Sequence, residues 1–266
     1  MRILVHCTSC LQTLEQQSTI PQSDSFDTAP AQFIADYGDD FVVRGVCPRG
    51  HKYIGYLTKE RYDVLFESAL LSFLMGFELE AVLGFAASLE RAQELYTLTS
   101  LRATGMEPAV LEKMWKQVNR QSERQLGAFL SQWLTVTKEV FTANNSMTEF
   151  RNSVVHRGHI PLRDDTARYA TWITDRLFDI VEVLRRWEDG ALKEIRNSHV
   201  SAAHLIAVTE HSADPELQAM PIVSVNPPSL TRLHLHASTF TRASFSEVCA
   251  MARQTAKHRG FTSTVF

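Results

Sequence analysis

The sequence predicts a mainly α-helical protein: an antiparallel helical bundle with a small β-containing element before it and another after it. Three observations lead to this prediction. Apolar residues recur at three- and four-residue steps through much of residues 59–190, which is the period of helices that bury one face. Residues 1–58 carry two short pairs of metal-ligand residues, and the helical period weakens in residues 191–266. We therefore expect three segments with these boundaries.

The composition allows a sizeable core and excludes several classes of protein. Of the 266 residues 44% are hydrophobic and 15 are Phe, so the chain has room for one large or two modest domains. A formal net charge of -3 excludes a globally basic nucleic-acid coat, and any RNA contact would have to be a local patch. The N-terminal apolar run is too short for a signal peptide, and the longest apolar run, Ala69 to Phe77, ends at Glu78. We expect a cytoplasmic protein with no membrane contact.

The first segment carries a predicted metal site. Cys7 and Cys10 form a C-x2-C turn, and Cys47 and His51 form a C-x3-H turn, each after a short β-like run. Two such turns would present three thiolates and an imidazole to one tetrahedral Zn²⁺, as in a zinc ribbon, and a closed site of this kind is structural. Three of the four cysteines lie in the first 47 residues, which fits metal binding in a reducing cytoplasm better than disulfides. The alternatives are unrelated free thiols, or His6 as a substitute ligand.

Four stretches of the second segment predict long or short amphipathic helices. The first runs from Tyr62 to Leu98 as one long helix or two in series, with Gly76 or Gly84 as possible kinks. Pro108 suits the first turn of a short helix that continues through Val118. An apolar stripe over residues 126–141 predicts the next helix, and another begins at Asp164 and Asp165 and continues to Trp187.

Between the last two of these helices lies the stretch Phe150-Arg151-Asn152-Ser153-Val154-Val155-His156-Arg157-Gly158-His159. It predicts a short helix that Ser146 or Thr148 caps and Gly158 ends. Over five residues a helix rises about 7.5 Å and turns by about 140°, so Arg151 and His156 leave on different headings. The arginine stem is long enough to bring its guanidinium back towards the imidazole. A fixed cation beside a group that exchanges protons near neutral pH suits chemistry on a phosphodiester.

The same stretch has a simpler interpretation. A basic helix end can be a solvated tip that only complements the helix dipole. The basic residues of this tip are Arg151, His156, Arg157, His159 and Arg163.

With R-N-x-V-V-H-x-G placed between long amphipathic helices, the stretch resembles the HEPN family of all-helical ribonucleases, whose hallmark is an R-x4–6-H motif that often begins Arg-Asn. The resemblance covers about half of the chain. It implies a metal-independent endoribonuclease in which the 2′-hydroxyl of RNA is the nucleophile and no cofactor takes part. His156 would be general base or acid, Arg151 would stabilise transition-state charge, and Asn152 would orient the phosphate or hold the arginine. Arg157 and His159 would bind substrate.

Glu90 has two possible roles, of which the resemblance implies the second. As an ordinary acidic residue it would be solvated or would pair with Arg91. HEPN domains often carry a polar or acidic residue on an early helix that faces the motif, and in that role Glu90 would contribute to substrate binding.

The family likeness further implies a homodimer that pairs two motifs, in a prokaryotic toxin or abortive-infection system that cuts RNA, with an antitoxin or regulatory protein as a partner. Some HEPN relatives do not cleave RNA. The alternative is therefore a non-catalytic module in which the bundle binds nucleotide or RNA and the ribbon binds a partner protein.

The third segment predicts a small α/β element of unknown role. Residues 191–208 fit a helix or a strand equally well. Residues 232–236 alternate like a strand, which puts His234 and His236 on one face; we favour a polar sheet face over a metal site. Ser244 and Glu247 form a capping box that opens a last helix, which contains Cys249.

Overall fold

The computed structural model describes residues 2–17, 31–226 and 241–258. The protein is mainly helical, as predicted, with a small strand segment. It forms two compact units, one of Met1–Lys59 with Arg196–Pro228 and the other of Glu60–Ile195 with Ser229–Phe266. This division differs from the three predicted segments, because residues 191–266 belong partly to each unit and do not form a unit of their own.

The first unit contains a five-stranded sheet. In order across the sheet the strands are β1 (Arg2–His6), β2 (Gln32–Tyr37), β3 (Val42–Val46), β4 (Lys52–Leu57) and β5 (Val223–Val225). The first four are antiparallel neighbours, whereas β5 lies parallel to β4. The sequence analysis missed β5, because a three-residue strand has too few residues to show alternation. The first unit is therefore larger than the zinc ribbon that is predicted for residues 1–58.

Among its described residues the first unit also has three helices: α1 (Thr8–Gln17), the later part of α8 (Ala191–Ala213) and α9 (Pro215–Gln218). Ala207 of α8 packs against Val42 and Ile54 of the sheet. At the edge of this contact Arg44 donates to both carboxylate oxygens of Glu210, at 2.7 and 2.5 Å. Residues 191–208, which fitted helix or strand, are therefore helical, and α8 covers one face of the sheet.

The second unit is a bundle of helices. They are α2 (Arg61–Leu74), α3 (Glu78–Ala103), α4 (Pro108–Val118), α5 (Ser122–Thr137), α6 (Asn145–Arg157), α7 (Arg163–Leu184), the start of α8, and α10 (Phe245–His258). The central helix is α3, which contacts α2, α4, α5, α6 and α7. All its side chains from Leu95 to Ser100 are buried. This position explains why the apolar residues of α3 extend around the helix and do not keep to one stripe.

Local signals in the sequence explain most helix ends. The long periodic stretch after Tyr62 is two helices, because Gly76 adopts a left-handed φ of 82° between them. Pro108 opens α4, as predicted. Asn144 caps α6 by accepting from the backbone N–H of Met147, so neither Ser146 nor Thr148 is the cap residue. The capping box is present at the start of α10, where the backbone N–H of Ser244 donates to the Glu247 carboxylate at 2.7 Å.

The predicted strand with His234 and His236 lies outside the described residues. Across residues 2–17, 31–226 and 241–258 there is no helix that combines the length and the apolar character needed to cross a membrane.

The contact between α2 and α3 depends on Gly84. A Cβ at Gly84 would lie 2.8 Å from the Cβ of Ala69, which is 1% exposed. Gly127 of α5 offers a matched comparison, since a Cβ there would meet nothing within 4 Å.

We predict that Gly84→Ala yields a less stable protein than Gly127→Ala by about 1–3 kcal/mol. Both substitutions gain the same helix propensity, so the difference isolates the overpacking against Ala69. Urea denaturation followed by circular dichroism measures both free energies of unfolding. Equal values for the two variants would show that α2 and α3 do not pack this closely.

Candidate functional site

The end of α6 places the motif residues. Gly158 ends the helix in the left-handed conformation, with φ of 69°, and its N–H and the N–H of His159 both reach the carbonyl oxygen of Ser153. His156 therefore lies in the last helical turn. Its side chain is exposed, as are those of Arg157 and His159.

Arg151 reaches across the helix surface to His156. Its Nη1 lies 3.5 Å from Nε2 of His156 and donates to Oδ1 of Asn152 at 3.1 Å. A guanidinium has only donors, so the contact with Nε2 is favourable only when Nε2 is unprotonated and the imidazole carries its proton on Nδ1. The arrangement thus presents a proton-accepting nitrogen next to a permanent cation.

Glu90 of α3 holds the other side of the guanidinium. Its Oε1 accepts from Nη2 of Arg151 at 2.8 Å. Arg91, the alternative partner of Glu90, pairs with Glu94 at 2.5 Å. Of the two roles considered for Glu90, the structure therefore shows the position that faces the motif. The pair is partly exposed, with 24% of the Arg151 side chain and 36% of the Glu90 side chain accessible, so solvent screens it.

Sequence analysis did not identify Tyr169 of α7 as a residue of this site. Its ring packs against Phe150, the residue before Arg151, with 5.6 Å between the ring centroids. Burial raises the pKa of Tyr169 well above its usual value, while the charge of Arg151 lowers this pKa and that of Glu90 raises it. Both charges of the Glu90–Arg151 pair therefore act on the phenol. In the sequence Tyr169 is one member of an apolar stripe, and nothing there distinguishes it from a core residue.

The basic residues after the motif separate into two groups. His159 lies edge-on to Phe150, with 6.4 Å between the ring centroids, and together with Arg157 it stays at the exposed end of α6. Arg163 has a structural contact instead. Its guanidinium donates to the carbonyl oxygen of Phe73 and to Glu78, and it lies 3.8 Å from the centre of the Phe73 ring.

The second candidate site is the cysteine and histidine cluster of the first unit. Cys7, Cys10, Cys47 and His51 bring their ligand atoms within 4.8 Å of one another, and this set can hold a metal ion. Nδ1 of His51 lies 3.5 Å from each of the three sulfurs. His6 is not part of the cluster, since its Nε2 lies 3.1 Å from the side-chain amide of Gln32.

The two ligand pairs have different local structures. Cys47 and His51 lie in a tight turn between β3 and β4, which the left-handed Gly50 makes possible and in which the N–H of Cys47 donates to the carbonyl oxygen of His51. The predicted turn at Cys7 and Cys10 is wrong, because Cys10 lies in the first turn of α1. The helix begins directly after Cys7, so the sulfurs lie where the helix dipole favours negative charge.

The surroundings shift the pKa values of Cys10 and Cys47 in opposite directions. Burial, together with the neighbouring Cys7 and Cys47, raises the pKa of Cys10 to about 12. Burial also acts upward on the pKa of Cys47, but hydrogen bonds from the backbone of Arg49 and His51 lower this pKa overall. Without a cation Cys10 therefore keeps its proton, whereas a bound metal ion would offset the charge of three thiolates, and the donor set fits such an ion.

Comparison of the chain with protein-family models, with curated proteins and with solved structures finds no match. The residues that point to a function are therefore the two groups just described, the Arg151–His156 site and the cysteine and histidine cluster.

Proposed function

We propose that this protein is a metal-independent endoribonuclease with a HEPN-like helical bundle and with Arg151 and His156 as its catalytic residues. The observation that carries the proposal is the 3.5 Å approach of Nη1 of Arg151 to Nε2 of His156 at an exposed helix end. RNA supplies its own nucleophile, so the protein needs only to move protons and to stabilise charge on the phosphate.

The site supplies groups for proton removal and for charge stabilisation in this reaction. The 2′-hydroxyl attacks the adjacent phosphorus and gives its proton to His156. The bond from phosphorus to the 5′-oxygen breaks, and that oxygen takes a proton from a general acid. The products are a 2′,3′-cyclic phosphate and a free 5′-hydroxyl. The guanidinium of Arg151 stabilises the additional negative charge on the phosphate in the transition state.

The neighbouring residues position this pair or bind RNA. Asn152 accepts from Nη1 of Arg151 and holds the guanidinium in place for the phosphate. Glu90 fixes the other edge of the guanidinium and lies close enough to contribute to substrate binding. Arg157, with His159 beside it, would supply the local contact with the RNA backbone that a chain of formal net charge -3 requires.

A homodimer would complete the chemistry. One His156 accepts the proton of the nucleophile, and the His156 of a second copy would protonate the leaving oxygen. An exposed apolar surface next to the motif fits such a partner: Phe77, Leu79, Ile160 and Leu162 are 51%, 40%, 82% and 70% exposed. The hydrogen bond from Arg163 to Glu78 links the start of α7 to the α2–α3 turn, so these residues lie at one end of the unit.

Following the HEPN resemblance, we place the enzyme in a prokaryotic toxin or antiviral system with an antitoxin or regulatory partner.

We further propose that the cluster of Cys7, Cys10, Cys47 and His51 binds a structural Zn²⁺. A tetrahedral zinc with Zn–S of about 2.3 Å and Zn–N of about 2.0 Å has S···S edges of about 3.8 Å and S···N edges of about 3.5 Å. In the structure the separations are 3.8 Å between the sulfurs of Cys10 and Cys47 and 3.5 Å from each sulfur to Nδ1 of His51. Four protein ligands leave no open position, which supports a structural role.

The first prediction concerns cleavage. Purified protein should cut RNA in EDTA and leave 2′,3′-cyclic phosphate ends, and His156→Ala or Arg151→Ala should each lower the rate by roughly 10² to 10⁴-fold. Gel assays of total RNA measure the cleavage rate. Resistance of the 3′ ends of the products to phosphatase identifies the cyclic phosphate.

Arg157→Ala is the matched control for the removal of a basic residue from α6. It should weaken RNA affinity and keep most of the cleavage rate. If the wild type cleaves no RNA and His156→Ala instead weakens RNA or nucleotide binding, the non-catalytic binding module replaces the enzyme.

The second prediction concerns the homodimer. Light scattering should report a dimer for the wild type, and Leu162→Glu should shift it to monomer because a carboxylate would be buried in the interface. Leu134→Glu on α5, where Leu134 is 51% exposed, should remain a dimer. A monomeric wild type that still cleaves RNA would show that one motif is sufficient.

The third prediction concerns zinc. Elemental analysis should find one zinc per chain, and the Cys10→Ser, Cys47→Ser double variant should lose it together with the stability of the first unit. Cys249→Ser should keep the metal, since Cys249 is a buried cysteine of the helical unit and not of the cluster. A folded wild type without metal would contradict the proposal.

A further inference from the structure

We propose that Arg151 is also a switch on the base of the candidate active site. In the free protein one of its N–H groups occupies Nε2 of His156, and a phosphate that binds the guanidinium takes this N–H group away from the nitrogen. His156 therefore becomes a free base only when RNA is in the site. Because the switch uses the binding of an RNA phosphate at Arg151, it rests on the proposed function.

The contact between the two side chains engages the nitrogen that the reaction needs. Nη1 of Arg151 lies 3.5 Å from Nε2 of His156. A neutral imidazole has one nitrogen that accepts, and the contact with a guanidinium makes Nε2 that nitrogen. While the guanidinium donates to Nε2, the 2′-hydroxyl of RNA cannot give its proton to the same lone pair. The observed contact therefore belongs to the resting protein, and it has to open before proton transfer.

The distances indicate which contact of the guanidinium opens first. Nη2 donates to the Glu90 carboxylate at 2.8 Å, and Nη1 donates to the Asn152 side chain at 3.1 Å. The approach of Nη1 to Nε2 is at the outer limit of a hydrogen bond. Hydrogen bonds to a charged acceptor are about twice as strong as those to a neutral one. A phosphate oxygen next to Arg151 therefore takes the N–H group from the imidazole and leaves the bond to Glu90 intact.

The Arg151 side chain has the freedom that this exchange requires. Its guanidinium ends a long stem, and 24% of the side chain is accessible, so a small rotation moves Nη1 from the imidazole to a phosphate. Glu90 belongs to α3 and keeps Nη2 in place during this rotation. His156 has a shorter side chain in the last turn of α6, which ends at Gly158. The guanidinium is therefore the part that moves.

The reactivity of the His156 nitrogen tests the switch. Diethyl pyrocarbonate attacks an imidazole through the lone pair of its unprotonated nitrogen, and at about pH 8 a free imidazole is neutral. Dimethyl phosphate, a monoanionic diester, serves as the probe for the RNA phosphate. It should speed the modification of His156 about two- to fivefold, the range for removal of one weak hydrogen bond. A ligand that only covered the site would slow this modification. Mass spectrometry of peptides measures the rate for each histidine.

His159 is the internal control. It lies at the same exposed end of α6, and its ring lies edge-on to Phe150. Its modification should proceed at the same rate with and without dimethyl phosphate, which excludes an effect of the anion on the reagent. Constant ionic strength, held with sodium chloride, excludes screening by the added anion.

Arg151→Ala removes the switch itself. In this variant His156 should react about two- to fivefold faster than in the wild type without any phosphate, and dimethyl phosphate should add nothing. Circular dichroism should show an unchanged fold. The wild-type measurement needs no substitution, so it decides the proposal independently of the stability of the variant.

The outcomes separate the switch from the ribonuclease. If dimethyl phosphate slows the modification of His156 or leaves it unchanged, or if Arg151→Ala reacts at the wild-type rate, the switch is wrong. RNA cleavage in EDTA then still decides the ribonuclease proposal. If dimethyl phosphate speeds the modification but the wild type cleaves no RNA, the ribonuclease proposal fails, and Arg151 remains a phosphate-binding residue that controls His156.

Discussion

The candidate site depends on one ion pair, between Arg151 at the middle of α6 and Glu90 on α3. A free arginine side chain samples many rotamers, and holding it in one of them costs conformational entropy. Here Glu90 holds one edge of the guanidinium and Asn152 the other, and the result is a cation held 3.5 Å from Nε2 of His156. The pair contributes little to stability because it is partly exposed. Its effect is to fix the position of the guanidinium relative to the imidazole.

The bundle supplies the rigid support for this pair. Because α3 is buried on all sides over residues 95–100 and contacts five other helices, Glu90, one to two turns earlier, lies on an element that cannot shift by itself. The same packing brings α7 beneath α6, where the ring of Tyr169 lies against that of Phe150. An arginine on a solvated helix tip would have no comparable support. The contacts of Arg151 with Glu90 and Asn152 distinguish the observed arrangement from such a tip.

The first unit has a different stabilising feature, the cysteine and histidine cluster. Its described core between sheet and α8 is small, with Val42, Ile54 and Ala207 as fully buried members. A metal ion that joins distant parts of a small domain adds to its stability. The four ligand atoms join β1 and α1 at one end of the sequence to the β3–β4 turn, about forty residues later. A metal ion there would add to the stability that hydrophobic burial supplies.

The sequence by itself determined the features that depend on near neighbours. The three- and four-residue period gave the helices of the bundle, Gly158 and Gly76 gave chain reversals, the 244–247 box gave the start of α10, and the C-x2-C and C-x3-H spacings identified the four residues of the cluster. Only the tertiary structure decided that Glu90 faces Arg151 and not Arg91, that Tyr169 lies under the motif, that β5 joins β4, and that residues 191–266 are divided between two units. Each of these depends on residues far apart in the chain. Local propensity and periodicity specify which face of an element is apolar, but the packing of whole elements decides which residue that face meets.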